Sequence, residues 1–155
     1  MIRYLAVADH SSFIALERDA EVRRYVNGPS TKTDDEFLDG LRNYEPMKSL
    51  LVMADATTDA FPGRCGLLPV RGTNETELFL LLTKSNQRKG IGQAALQFLI
   101  SLARCEGKEP IGIVHPDNLA SRALMEKVGM VHVGAVPAAG YQNGHLRYVP
   151  GVSGK

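Results

Sequence analysis

The chain has 155 residues, a formal net charge of +1 and two cysteines. That length suits one domain able to bury a single core without disulfide or metal support. The near-neutral balance, with positive residues scattered, excludes bulk attraction to nucleic acid or to a membrane surface.

The predicted elements begin with a strand-like run, Ile2 to Ala8, ending at Asp9. Ser11 and Ser12 are placed to cap a helix that turns Phe13, Leu16 and Ala20 toward the core, and Val22, Tyr25 and Val26 continue it after a break. Asn27-Gly28-Pro29 reads as a turn. Thr33 to Glu36 has the spacing of a capping box, with Phe37, Leu38, Leu41 and Tyr44 following on one face until Pro46. Leu50 to Ala54 and Cys65 to Val70 read as antiparallel strands joined by a polar linker ending in Pro62-Gly63. Arg71 to Asn74 turns the chain into Leu78 to Leu82, apolar at every position, as a central strand covered on both faces requires.

Between that strand and a helical run from Ile91 to Ala103 lies Gln87-Arg88-Lys89-Gly90-Ile91-Gly92. The first turn of a helix leaves backbone N–H groups without intrahelical acceptors and carries partial positive charge, so it attracts an anion. Gly90 and Gly92 let that backbone approach a bulky phosphate, and Arg88 and Lys89 add full charges at its mouth. The helix presents Ile91, Ala95, Phe98, Leu99 and Leu102 on one stripe and ends at Gly107. A further strand, Pro110 to His115, stops at Pro116. Asp117 or Asn118 then caps a helix from Ala120 to Val128 that Gly129 terminates. Val131 to Ala135 and Tyr141 to Val149, with an Asn143-Gly144 turn, supply the last strands, and Gly151 to Lys155 reads as a frayed tail.

Cys65 and Cys105 have no neighbouring Cys/His ligand pattern, so free thiols and no metal site are expected. The apolar runs are too short or interrupted for a membrane span, and no charged-then-apolar leader is present, so a cytoplasmic protein is expected.

The phosphate-loop residues resemble the Gln/Arg-x-x-Gly-x-Gly/Ala signature of the GNAT superfamily of N-acetyltransferases, with Gln87, Gly90 and Gly92 matching and Arg88 standing where many members have glycine. A second stretch, Asn118-x-x-Ser121-x-x-Leu124-x-Glu126-Lys127-x-Gly129-Met130, resembles the helix and strand that finish the family's cofactor site. Asp19 to Asn27, with Glu21 to Tyr25, is similar to the RimJ/RimL-like branch. The resemblance covers essentially the whole chain. It implies a mixed α/β fold, the GNAT acyl-CoA N-acyltransferase fold, with a twisted, mostly antiparallel sheet and helices on both faces, in a single domain spanning 1–150.

The resemblance also implies acetyl-CoA as co-substrate, with direct attack by a primary amine in a ternary complex. Pyrophosphate contacts fall to Gln87, Arg88, Lys89, Gly90, Ile91 and Gly92. Main-chain atoms of Leu80 and Leu82 take the pantetheine arm, and Asn118 hydrogen-bonds the cofactor. The first two helices and their joining loop form one wall of the acceptor groove, with Arg23 and Arg24 equally readable as a solvated face. Where many members have a proton-donating tyrosine this chain has Met125, which leaves Ser121 as the nearest hydroxyl. The position of the family's glutamate base falls on Thr76, so a bulge would be needed to bring Glu77 into the groove. The acceptor is a small-molecule amine or a protein N-terminus, and the protein a monomer or a homodimer.

Two other readings compete. Gly90-Ile91-Gly92-Gln93-Ala94-Ala95 also fits a dinucleotide fingerprint, but Thr83 to Lys89 separate the glycines from their strand, and Ile111 to His115 is followed by Pro116 rather than by an acidic residue placed for a ribose. A non-catalytic acyl-CoA-binding module is motivated by Met125 and the displaced carboxylate.

Overall fold

The computed structural model describes residues 1–43, 48–136 and 144–152. Its strands are β1 (Ile2–Tyr4), β2 (Leu51–Met53), β3 (Gly63–Pro69), β4 (Glu75–Leu82), β5 (Glu109–Val114), β6 (Met130–Ala135) and β7 (Leu146–Pro150). Its helices are α1 (His10–Arg18), α2 (Asp34–Arg42), α3 (Ile91–Cys105) and α4 (Leu119–Lys127). The strands are hydrogen-bonded in the order β1-β2-β3-β4-β5-β7-β6. β4 and β5 run parallel, while β1/β2, β2/β3, β5/β7 and β6/β7 are antiparallel. A parallel pair needs a crossover, and α3 is that crossover. The expected mixed, mostly antiparallel α/β fold is the observed one.

The chain forms two compact units, one of residues 1–66 and 80–95, the other of 67–79 and from 96 onward. In the first, Leu5, Phe13, Phe37, Val52 and Ala54 make a buried cluster that Ile14, Leu41, Leu50 and Phe61 extend. Phe13 of α1 meets Phe37 of α2 edge to face at 6.2 Å. Met53 and its register partner Ile2 point to the other face, where Ile91 and Ala95 of α3 join them around a cleft of about 380 Å³. Gly63 has no room for a side chain, since a Cβ there would come within 2.1 Å of the Leu81 carbonyl oxygen.

In the second unit, Glu75 on β4 pairs with the Arg147 guanidinium on β7. Gly112 on β5 and its partner Tyr148 on β7 lie under Met125 of α4, whose Sδ and Cε occupy the space a Cβ at 112 would need. The β6/β7 ladder shifts register between His132 and Gly134, whereas β4 and β5 stay in register through Glu77.

Helix ends follow the sequence closely. Thr33 and Glu36 make the reciprocal capping box, with Thr33 N–H to Glu36 Oε2 at 2.7 Å and Glu36 N–H to Thr33 Oγ1 at 3.2 Å. Gly107, at φ 67°, closes α3, with Lys108 N–H donating to Ala103 O and Gly107 N–H to Arg104 O in the paired pattern of a Schellman motif.

Other expectations are corrected. The first strand stops at Tyr4, because Asp9 folds back to accept from Ala6 N–H and from Arg3, making a 3-10 turn at Val7–Asp9. That turn runs directly into α1, so Ser11 and Ser12 lie inside the helix rather than capping it. Ala20 is exposed, and Val22 to Val26 form turns instead of helix. On α3 the buried stripe is Gly92, Ala95, Leu96, Leu99, Ile100 and Ala103, while Phe98 is 43% exposed. Tyr44 and Pro46, residues 141–143 of the last expected stretch, and residues 153–155 of the tail lie outside the described residues.

Candidate active site

The segment between β4 and α3 is built mainly from backbone. Thr83 N–H donates to Pro62 O at 2.9 Å, and Asn86 N–H returns to Thr83 O at 3.0 Å, closing a 3-10 turn at Lys84–Asn86. The Gln87 side-chain amide donates to Leu82 O at 3.3 Å, so Gln87 braces the end of the strand. Arg88 and Gly90 then take left-handed conformations, φ 61° and 79°. The first i to i−4 bond of the helix is Ala94 N–H to Gly90 O, 3.1 Å. The N–H groups of Ile91, Gly92 and Gln93 are therefore without intrahelical acceptors and carry the positive end of the helix dipole.

A Cβ built on Gly90 meets nothing within 4 Å, so the backbone is bare on its outer side. Arg88 and Lys89 are exposed beside it. Gly92 differs from expectation in its surroundings: it is buried on the inner stripe of α3. Bare N–H groups, two cations and an unobstructed approach fit a diphosphate.

Residues 19–30, between α1 and α2, are held by charged side chains. The Glu17 carboxylate, nearly buried, accepts from Arg23 Nη1 on one oxygen and from Arg64 Nε of β3 on the other, both at 2.5 Å. Arg23 also donates from Nε to Gly28 O at 2.7 Å and from Nη2 to Val26 O at 2.9 Å. Asn27 and Gly28 are both left-handed, φ 59° and 68°. Farther out, Glu21 pairs with Lys84 at 2.8 Å, tying this segment to the turn that leads toward α3. Arg24 stacks over the Tyr25 ring at 5.2 Å. Arg23 is thus not the solvated side chain that its sequence context also allowed.

In the second unit Asn118 caps α4, its Oδ1 accepting from Ser121 N–H at 3.2 Å, which leaves the side-chain NH₂ as donor toward another partner. Ser121 is half-buried one turn later, and Met125 is buried with its thioether on Gly112. Glu77 is buried on β4, and burial pushes its carboxyl up to about 7 from an ordinary 4.5. Its register partner is Ile111, so its side chain leaves the sheet on the face opposite Gly112 and Met125, while Thr76 shares their face. The regular register contains no bulge at Glu77. Glu75, two residues earlier, is held below the usual carboxylate range by its hydrogen bonds to Arg147.

Four features escape sequence reasoning: the Glu17–Arg23–Arg64 cluster, the Glu75–Arg147 pair, the contact between the His115 and His145 rings at 5.3 Å, and the buried Tyr148 hydroxyl, which has no hydrogen-bond partner among the described residues. Each joins residues remote in the chain or depends on burial, and no local spacing signals it. Cys65 is buried and its thiol is pushed up to about 12 by desolvation, which makes it a core residue rather than a nucleophile. Among the described residues no group of three or more His, Cys, Asp or Glu is placed to hold a metal ion, and no helix is long and apolar enough to cross a membrane.

Comparison with known proteins agrees with this fold. The family described as "Acetyltransferase (GNAT) domain" matches residues 1–131. Comparison with curated protein sequences finds no match. Among solved structures, an acetyltransferase of the GNAT family from Bacillus anthracis superposes with a TM-score of 0.78 at 19% identity, over 95% of this chain and 91% of that one. A spermidine N-acetyltransferase from Vibrio cholerae, in complex with CoA and spermine, gives 0.75 at 16% identity, over 96% and 91%. A ribosomal-protein-alanine N-acetyltransferase from Brucella melitensis gives 0.72 at 21%, over 96% and 97%. At these identities the likeness is one of fold.

Proposed function

Because the chain belongs to the family of GNAT acetyltransferase domains, and is thereby an acetyl-CoA-dependent acetyltransferase, we propose that it works as a single domain acetylating a primary amine, either a small molecule or a protein N-terminus. The observation that carries this reading is the bare first turn of α3, with Gly90 at φ 79° and open space where its Cβ would stand. Ile91, Gly92 and Gln93 offer N–H groups there, Arg88 and Lys89 offer charge, and Gln87 steadies the strand end from which they project. Main-chain groups of Leu80 and Leu82, and the side chains of Asn118 and Ser121, are the remaining proposed contacts of the co-substrate.

Acetyl-CoA supplies, when bound, an activated carbonyl and a thiol leaving group. What the chain has to add is orientation, worth roughly 7 to 11 kcal/mol in ideal cases, and proton management worth about two to four orders of magnitude in rate. Because β4 carries no bulge at Glu77, that carboxyl stays out of the groove, and the amine proton is proposed to leave through water. Ser121 Oγ–H is the proposed donor on the sulfur side, since the Met125 thioether has no proton to give. Residues 19–30 form, on this reading, one wall of the acceptor site. The RimJ/RimL-like character of Asp19 to Asn27 favours a protein or peptide amine.

The buried thioether of Met125 favours a second reading, a module that binds acyl-CoA without turnover. Release of free thiol from acetyl-CoA across a panel of a polyamine, an amino sugar and an alanine-terminated peptide separates the two. Turnover with one of them is expected. Tight CoA binding with no thiol release by any amine would favour the module instead.

A further inference from the structure

The sequence leaves Arg23 ambiguous, and nothing in the acetyl-transfer chemistry calls for a guanidinium at that point. Yet its side chain is only 13% exposed and uses all three of its nitrogens. Nε reaches Gly28 O at 2.7 Å, Nη2 reaches Val26 O at 2.9 Å and Nη1 reaches Glu17 at 2.5 Å. Its backbone joins in, since Arg23 O accepts from both Val26 N–H at 2.9 Å and Gly28 N–H at 3.1 Å. One residue therefore closes the loop onto itself from inside, and Glu17, gripped on its other oxygen by Arg64 of β3, fixes the closed loop to helix and sheet. Ser30 N–H, donating to Glu17 O at 2.7 Å, finishes the return.

This is more than a surface turn requires. A loop needing only to connect α1 with α2 would satisfy its carbonyls with water, at no cost in buried charge. Here two left-handed residues and a buried ion cluster hold a single conformation. The same loop is fastened at Glu21 to Lys84, three residues before Gln87 of the anion loop.

We infer that Arg23 is a positioning residue for the acceptor amine: by holding the carbonyls of Val26 and Gly28 it sets the shape of residues 19–30 before substrate arrives. The inference rests on the reading of the chain as an amine acetyltransferase, with this loop as an acceptor wall. A planar guanidinium can span three acceptors at once, whereas an ammonium is a single point of charge. Arg23→Lys therefore keeps a cation beside Glu17 and loses the carbonyl clamp, which separates positioning from bulk stability.

The test measures initial rates with whichever of a polyamine and an alanine-terminated peptide the wild type acetylates, varying each substrate in turn. Amide hydrogen exchange over 24–30 is followed in parallel. Arg23→Lys should raise the acceptor KM about tenfold, leave kcat within about twofold and the acetyl-CoA KM unchanged, and speed exchange at Val26 and Gly28. Gly28→Val is the second variant. Its Cβ would meet nothing within 4 Å, so any effect must come through the strained backbone at φ 68°, and it stands in if Arg23→Lys does not fold. An acceptor KM equal to that of the wild type in the folded variants overturns the inference and leaves the proposed function standing. A wild-type chain that binds CoA and acetylates neither amine defeats both.

Discussion

Two loops of the first unit stand side by side and are built on opposite plans. Residues 83–90 are shaped by backbone: a 3-10 turn, one side-chain brace from Gln87, and left-handed Arg88 and Gly90, with the outer side left bare. Residues 19–30 are shaped by side chains: a carboxylate between two guanidiniums, one of which also holds two carbonyls. The difference tracks the role proposed for each. A loop that offers its own N–H groups to an anion must keep them free of side chains, while a loop that presents a surface must have its interior filled.

The comparison is broken most severely by Glu17→Gln. This leaves Arg23 and Arg64 facing each other beneath the loop with no anion between them, and removing one partner from such a cluster should cost about 3 kcal/mol in urea unfolding. CoA affinity should barely move, because the other loop does not depend on it. Gly90→Val is the reciprocal lesion. It obstructs the open side of the backbone loop and forces a branched residue to φ 79°, so calorimetry should find CoA binding weakened about 100-fold, with the unfolding midpoint lowered only modestly. A Gly90→Val protein with wild-type CoA affinity would remove the basis of the phosphate assignment.

Titration sharpens the contrast from outside it. The buried carboxyl of Glu77, pushed up to about 7, belongs to neither loop. The same burial acts on stability. Between its ordinary 4.5 and about 7 the folded state keeps a proton that the unfolded chain releases, so stability falls as pH climbs through that window and levels off above it. Glu77→Gln should abolish this pH effect, leave kcat within about twofold and gain about 3 kcal/mol relative to the wild type at about pH 8. A fall in kcat of about 100-fold in that variant would instead make Glu77 the base.

Smaller effects follow at two hydroxyl and ammonium positions. Ser121→Ala should slow turnover about tenfold and weaken CoA only about twofold, because one hydroxyl contact is lost while the cap on α4, made by Asn118 and the Ser121 backbone, is kept. Lys84→Ala should be nearly silent. Its pair with Glu21 is largely exposed and screened by water, so a thermal melt should barely detect the change.

The same division explains how far the sequence could be read. Features that rest on backbone demands leave residue-type traces at short range, so the Thr33–Glu36 box, the stops at Gly107 and Gly129 and the Asn118 cap stand where their spacing puts them. The left-handed turn before α3 leaves its trace in Gly90 for the same reason. Features that rest on packing phase or remote pairing leave no such trace. α3 is apolar nearly all round, and a stripe through Phe98 is as regular as the observed one through Leu96 and Ile100. The small side chains of Gly92, Ala95 and Ala103 mark the face that packs closely. Glu17 and Arg64 are 47 residues apart, and Glu75 and Arg147 are 72 apart, distances over which charge pattern carries no register. Glu77 was legible as a carboxylate but not as a buried one, because burial belongs to the sheet that covers it.

The missing side chain at position 63 has a consequence for anyone mapping the enzyme by mutation. With the Leu81 carbonyl and the Leu82 Cα pressed against it, Gly63 lies behind the stretch of β4 proposed above to take the pantetheine arm. An alanine there would act as a wedge, prying the cofactor strand out of line from behind. The lesion would behave in every assay like a damaged binding groove, while the groove's own residues remained untouched.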